Sequence, residues 1–439
     1  MLVGCAIPAR SFRPRGDVWS CSPVGAARSA GSVTTSTLEI DGVSPRERIS
    51  PRTAEDLAAA LKAADDTGQA VAAVGGGTQL DLGMPPLRLD VVVDTTGLDR
   101  VVEYEPADLT VTVEVGMRMA ELQRILGEQG QFLALDPPAA EGATIGGLIA
   151  TNASGPLRFA YGTARDLVIG TRVANPDGTL TRAGGRVVKN VAGYDLNKLY
   201  IGSLGTLSVI VELSFKLAPI APALDSVVGQ MPDLDAAREL VNGVVHSPLS
   251  PLAVELLGPG AAVAAGLPAA NTVVFRLGGY PQAVERQVRD LTSLVSRHGG
   301  QRIEASPSAW EDLARMRLVA RQRDVVLKAA APISASTALV AAFEKQLEGL
   351  EPLVWSHAGS GVAYAACNPP EAEALASLRR GVAAFGENAS LVIERCPTVL
   401  KRAIDVWGDP SPSVGLMRAI KAKLDPKNTL NPGRYVGGI

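Results

Sequence analysis

Three consecutive glycines, Gly75-Gly76-Gly77, follow a short apolar run from Ala70 to Val74 and are closed by Thr78. Glycine has no Cβ and takes positive φ without steric cost, so successive backbone N–H groups can converge on one point. At the end of a buried strand this suits a pyrophosphate cradle, although a tight turn uses the same letters. Recurrence shifts the balance. The stretch from Pro51 to Pro219 also holds Gly146-Gly147, Gly155, Gly162 and Gly205, interleaved with Thr144, Thr151, Asn152 and Ser154. Those side chains can donate hydrogen bonds to phosphate or to ring carbonyls. A P-loop is excluded because the chain has no Gly-Lys dipeptide. The GxGxxG fingerprint fails because Leu80 stands where its third glycine belongs. A dinucleotide site of another type remains, or an elaborate structural domain.

Periodicity places these loops between regular elements. Thr53 to Thr67 reads as an amphipathic helix with Thr53 as N-cap and Leu57, Leu61 and Ala64 on its apolar stripe. Strands are expected at 70–74, 90–94, 110–115, 167–174 and 179–182, with a turn at Asn175-Pro176-Asp177-Gly178. A helix is expected over 119–129, and a β-rich run over 207–217. Pro219, Pro222 and Pro232 mark a boundary, beyond which a strand at 272–277 and a helix at 282–297 announce a second α+β unit. The fold class is α+β. The expected division is a disordered or leader-like tail at 1–39, a dinucleotide-binding domain at 40–219, a smaller α+β cap domain at 220–390, and a C-terminal segment at 391–439 that packs back on the first domain.

Composition excludes several functions. A net charge of -3 leaves no basic face for nucleic acid. No apolar run reaches the roughly 18–20 residues that span a bilayer. Cys5, Cys21, Cys367 and Cys396 form no CxxC pair, and His246, His298 and His357 are scattered, so neither an iron–sulfur cluster nor a histidine-built metal site is expected of this chain. The first 38 residues carry Arg10, Arg13, Arg15 and Arg28 against one acid, Asp17, and lack the apolar core of a secretory signal. The expected location is cytoplasmic, with peripheral docking at the inner face of the membrane only through partners.

The segments Ala72-Ala73-Val74-Gly75-Gly76-Gly77-Thr78, Thr144-Ile145-Gly146-Gly147, Tyr161-Gly162 and Gly202-Ser203-Leu204-Gly205-Thr206-Leu207 resemble the FAD-binding domain of the vanillyl-alcohol oxidase/p-cresol methylhydroxylase (PCMH) superfamily. The run from Arg186 to Leu196, RVVKNVAGYDL, resembles the FAD-linked D-2-hydroxyacid oxidoreductases, the branch that includes glycolate oxidase. Asp405-Val406-Trp407-Gly408 and the closing Asn431 to Ile439 are similar to the FAD-binding subunits of multi-subunit glycolate oxidase complexes. The resemblance implies a two-part PCMH-type domain that binds FAD. In it Gly75, Gly76, Gly77, Thr78 and Gln79 wrap the pyrophosphate. Thr144, Gly146, Gly147, Thr151, Asn152 and Gly155 line the dinucleotide path, and Tyr161, Gly162 and Ile210 lie beside the adenine or ring ends. Covalent-flavin members carry a histidine in the loop where this chain has Thr78, so the resemblance implies noncovalent FAD. It also implies a small 2-hydroxy acid as substrate, with a second FAD-linked oxidase subunit and an iron–sulfur subunit as partners.

Oxidising a hydroxy acid at a flavin requires a cation for the carboxylate and a base for the hydroxyl proton. Single-subunit relatives use a metal held by two histidines of an HxGxGxxH-like segment and a later glutamate. The matching segment here is His357-Ala358-Gly359-Ser360-Gly361-Val362-Ala363-Tyr364, with Glu394 as the later acid followed by Arg395 and Cys396. Tyrosine replaces the second histidine, so no metal is expected. Arg276, Arg317, Arg323 and Lys328 are candidate carboxylate anchors, each equally readable as a solvated charge. Lys189, Tyr194 and His357 are weak catalytic candidates, and Lys189, Asn190, Tyr194 and Asp195 equally suit a loop-fixing role. Two hypotheses stay open: a catalytic flavoprotein, or an FAD-binding subunit that relays electrons or supports the assembly.

Overall fold

The first sheet exists because a helix carries the chain back across it. The computed structural model describes residues 38–185, 194–304, 306, 308–409 and 412–439. Strands Glu47–Ile49, Val91–Asp94 and Val71–Val74 form a parallel sheet with Val91–Asp94 at its centre. Parallel neighbours need a crossover, and the helix Ala54–Thr67 supplies it. Thr53 caps that helix by accepting from the Asp56 N–H at 3.0 Å, and Gly68 ends it in the left-handed conformation at φ 69°. The central strand, Val-Val-Val-Asp, is buried along its whole length, as a strand covered on both faces must be.

A five-stranded antiparallel sheet follows, in the order Val101–Glu105, Thr110–Glu114, Val209–Lys216, Val168–Ala174, Leu180–Gly184. The expected turn at 175–178 joins its last two strands, with Gly178 at φ 83°. Leu57 and Leu61 of the crossover helix share one core with Val113, Leu213 and Phe215 of this sheet and with Leu122 and Leu126 of the helix Met119–Gly127. That common core fixes the two parts against each other and sets the glycine loops along their seam.

The chain then enters an eight-stranded sheet, with every pairing antiparallel. Helices Leu234–Val245, Pro281–Arg297, Ser336–Gln346 and Ala372–Ala383 pack one face, and Pro259–Ala264 and Ala309–Ala320 pack the other. Its last strand, Ser390–Arg395, carries the sheet past the expected boundary at 390. The final segment returns to the first sheet. Thr429 O accepts from the Val71 N–H at 2.7 Å, and the Asn431 N–H donates to Val71 O at 2.8 Å. Lys421, buried, donates to Thr206 O, Asp425 and Leu430 O. The α+β class and the returning C-terminal segment agree with the sequence expectation. No helix among the described residues is long and apolar enough to cross a membrane.

Candidate functional site

Strand Val71–Val74 delivers the chain into the glycine loop, and a second loop closes on it from 68 residues further along the chain. Gly76 N–H donates to Thr144 Oγ1 at 3.3 Å. Thr144 in turn N-caps the helix Ile145–Ala150, accepting from Gly147 N–H at 3.4 Å. A Cβ on Gly75 would collide with Thr144 Oγ1, and one on Gly76 with Gly142 O. Glycine is therefore required at both positions for the two loops to touch. Gly77 turns the chain at φ 73°. Gly146 packs its backbone against Val115, and Gly155 lies against Asp136, where no side chain would fit.

Two cavities open along this seam. The first is lined by residues 72–80 and by Ile40, Leu82, Thr144, Gly147, Ala150, Thr151, Leu204, Asn431 and Arg434. The second runs from Gln79, Thr151, Ser154 and Gly155 to the eight-stranded sheet, where Arg317, Arg321, Lys328, Trp355, His357, Tyr364 and Glu394 complete it. Gln79 and Thr151 belong to both, so the cavities adjoin each other at these two residues. The C-terminal segment fixes the wall of the first. Arg434 Nη2 donates to Leu80 O at 2.8 Å, and Asn431 Nδ2 donates to Leu204 O at 2.6 Å.

Unsatisfied donors show what the cavities suit. Arg434 Nη1, Arg317 Nε and Nη1, and Trp355 Nε1 are buried without hydrogen-bond partners. A buried donor left unpaired costs about 1–3 kcal/mol, so these groups call for an acceptor. The backbone cradle, the hydroxyls of Thr78 and Thr144, and the unpaired Arg434 nitrogen match the donor demand of a pyrophosphate. The residues present therefore fit FAD.

The second cavity is an ionic cluster. Glu394 accepts from Arg321 at 3.0 Å, and Lys328 Nζ lies 3.5 Å from its other oxygen. Burial works against the Glu394 carboxylate, but Lys328 and Arg321 outweigh it and hold its pKa below the usual value. Tyr364 stacks on Trp355 at 5.1 Å, and burial pushes its phenol upward. Lys328 lies over the Tyr364 ring, and Tyr364 and Glu394 raise its pKa against the effect of burial. His357 Nδ1 lies 2.8 and 3.0 Å from the two carboxylate oxygens of Glu255. Burial lowers the His357 pKa, Arg317 and Arg158 lower it further, and Glu255 opposes them. Asp136 behind the cavity is pushed up to about 7 by burial against the pull of Arg317.

A divalent cation does not fit this donor set. Glu394 is engaged by two cations, and Tyr364, a neutral phenol, stands where the second imidazole would be needed. Lys328 brings its own positive charge to the place where the histidine–glutamate pattern of the metal-using relatives converges.

The structure gathers most of the residues singled out in the sequence. Gly75, Gly76, Gly77, Thr78, Gln79, Thr144, Gly147 and Thr151 line the first cavity, and Gly155 and His357 line the second. Gly146 supports the cradle from behind. Asn152 takes φ 51° beside Gly202, and its Oδ1 is buried without a partner. Tyr161, Gly162 and Ile210 lie outside the linings of both cavities. Tyr161 meets Phe132 edge-on at 5.4 Å, Gly162 ends the short helix Arg158–Tyr161, and Ile210 is buried inside its strand. Tyr194 is 93% exposed and lines neither cavity. Lys189 and Asn190 lie outside the described residues. Of the candidate anchors, Arg317 and Lys328 line the second cavity, whereas Arg276 donates to Ser226 and Arg323 to Glu351. Arg321, Trp355 and Glu255 escaped the sequence reading. Glu255 carried a signal, as the lone charge in the apolar strand Ala253–Leu257.

The FAD binding domain family matches residues 45–184, and the C-terminal domain of FAD linked oxidases matches residues 410–435. The chain is an FAD-linked oxidoreductase. The FAD-linked chain is 26% identical over 422 residues to glycolate oxidase subunit GlcD of Bacillus subtilis (strain 168), covering 89% of its own length and 88% of the relative's. Over 120 residues it is 43% identical to glycolate oxidase subunit GlcE of Escherichia coli (strain K12), covering 27% of this chain and 34% of that one. Its fold matches that of p-cresol methylhydroxylase with substrate bound, at a TM-score of 0.70, 17% identity and 88% coverage of both chains.

Proposed function

We propose that this chain is the FAD-binding subunit of a glycolate oxidase-type complex and takes part in oxidising a small 2-hydroxy acid, glycolate to glyoxylate, with the electrons passing to a partner subunit. The observation that carries this reading is that the two cavities adjoin at Gln79 and Thr151, with the unpaired Arg317 guanidinium in the second. A carboxylate satisfies that guanidinium, and the ionic cluster beside it suits an anion. Similarity to the two glycolate oxidase subunits supports the substrate class.

In this reading residues 40–219 hold the cofactor, 220–390 cap it, and 391–439 return to brace the glycine loop. Gly75 to Gln79 and Thr144 to Thr151 hold FAD without a covalent bond, since Thr78 offers no nucleophile of the kind a histidine would. Bound there, the flavin supplies a two-electron acceptor for hydride. The electrons then need an exit. Cys367 and Cys396 are buried, with thiols pushed up to about 11 by burial, which ill suits them to ligate a cluster. A second FAD-linked oxidase subunit and an iron–sulfur subunit would provide that exit, with the assembly at the cytoplasmic face of the membrane.

Tyr364 in place of the second histidine favours a second reading, in which the chain binds FAD only to support the assembly. A stand-alone oxidoreductase acting on D-lactate is the other alternative. Anaerobic mixing of the flavin-loaded chain with glycolate and with D-lactate separates these. Rapid bleaching by glycolate supports the first reading, bleaching by D-lactate alone supports the stand-alone enzyme, and stable flavin absorbance with both leaves the assembly subunit.

A further inference from the structure

We infer that His357, positioned by Glu255, accepts the hydroxyl proton of the substrate, in a site that operates without a divalent metal. The inference rests on the reading that a 2-hydroxy acid is oxidised in the second cavity.

Glu255 and His357 are paired residues on neighbouring antiparallel strands, Ala253–Leu257 and Leu353–His357. Both are buried, and both carboxylate oxygens lie within hydrogen-bond distance of Nδ1. An ionised carboxylate only accepts, so Nδ1 carries the proton. In a neutral imidazole Nε2 then holds the lone pair. Among the described residues nothing bonds Nε2, and the ring lines the cavity. The charged and titratable groups facing the ring are Glu255, Arg317 of the helix Ala309–Ala320, Arg158 of the helix Arg158–Tyr161, and Tyr364 of the strand Val362–Cys367. Two cations and a burial penalty keep the ring neutral, while Glu255 fixes its tautomer and becomes a counter-charge when it takes up a proton.

Arg317 supplies the anchor. Its side chain is 5% exposed, and Nε and Nη1 lack hydrogen bonds. Its nearest carboxylate oxygen, on Glu255, stands at 3.8 Å, too far to satisfy it. A substrate carboxylate completes that coordination from inside the cavity. The C2–H bond breaks with its electron pair, and the hydride passes to the flavin. The O–H bond breaks, its proton goes to His357 Nε2, and its electron pair closes the new C=O bond. The substrate is oxidised by two electrons and the flavin is reduced by two. Lys328, held by Glu394, provides the fixed positive charge that a metal would otherwise bring.

The test uses the flavin-loaded chain with whichever subunits accompany it, as wild type, His357→Gln and Glu255→Gln. Anaerobic bleaching by glycolate and D-lactate is recorded against pH, before and after EDTA treatment. Oxalate, an unreactive dicarboxylate, is titrated by calorimetry as a readout independent of turnover. The wild type should bleach at the same rate after EDTA. His357→Gln should bleach about 10²–10⁴-fold more slowly and lose the acidic limb of the pH profile, with oxalate affinity unchanged. Glu255→Gln should move the acidic limb to lower pH, a shift that a purely structural role would not give, and it serves as the second variant should His357→Gln fail to fold. Wild-type bleaching by His357→Gln overturns the inference alone, as does activity that EDTA abolishes and zinc or manganese restores. A wild type that bleaches with neither acid overturns both the inference and the proposed function.

Discussion

Glu255 and His357 stand directly opposite each other on adjacent antiparallel strands, and both carboxylate oxygens reach the imidazole Nδ1, at 2.8 and 3.0 Å. The same carboxylate lies 3.8 Å from Arg317, so one buried anion in the middle of the sheet serves both a base and a cation. Removing it takes from Arg317 its nearest counter-charge. Glu255→Ala should therefore cost about 3–5 kcal/mol in urea unfolding. Glu255→Ala combined with Arg317→Met should recover part of that loss, and an additive double mutant would contradict the pairing.

Asp136 gives the fold a pH dependence of its own. Burial raises its pKa from 3.8 to about 7, so the folded state prefers the protonated form. Stability from this group is complete below the unfolded pKa and is lost as pH rises through about 7. The slope is at most ~1.4 kcal/mol per pH unit. Chemical denaturation at several pH values between 4 and 8 should show the decline in the wild type, and Asp136→Asn should flatten it. Leu157 N–H, which Asp136 accepts at 3.2 Å, keeps an acceptor in the Asn variant.

Gly76→Ala should release the cofactor. Its Cβ would meet Gly142 O, so the two loops must part and the cradle opens. Thr144→Ala should act more gently. It deletes one helix cap and the acceptor of Gly76 N–H, a loss of about 1 kcal/mol. Flavin retained through gel filtration measures both, and full retention by Gly76→Ala would count against the cradle.

The lysine that ties the late chain to the loop after the glycines should be a stability hot spot. Lys401 Nζ is fully buried, 2.7 Å from Asp41, and donates to Asp81 O and Gly83 O. Lys401→Met strands Asp41 beside three lost hydrogen bonds, and thermal melts should fall by several degrees. Since Gly83 follows the cradle, flavin affinity should fall as well.

Local physics made the first half of the fold legible. The helix at 54–67, the strands leading into each glycine loop and the turn at 175–178 follow from caps, periodicity and turn chemistry within a few residues of each other. The cradle was legible for the same reason, because its glycines and threonines declare a backbone need wherever they occur. The second cavity was not. Arg317 and Lys328 resembled surface charges until the eight-stranded sheet placed strand Val325–Ala330 between Val362–Cys367 and Ser390–Arg395. Arg321 and Trp355 have no periodic signature. Tyr194 drew attention through its neighbours in the chain, yet its side chain stands in solvent. Sequence proximity identifies loops, whereas the ionic site comes from register between strands up to about 100 residues apart, as with Glu255 and His357.

The most direct measurement is a crystal structure of the flavin-loaded chain grown with oxalate. The account predicts the FAD pyrophosphate against the amides of Gly75 to Gln79, the flavin ring entering the second cavity past Gln79 and Thr151, and oxalate bound by Arg317 beside His357 Nε2. A flavin seated away from the glycine loops, or oxalate bound elsewhere with Arg317 still unpaired, would contradict it.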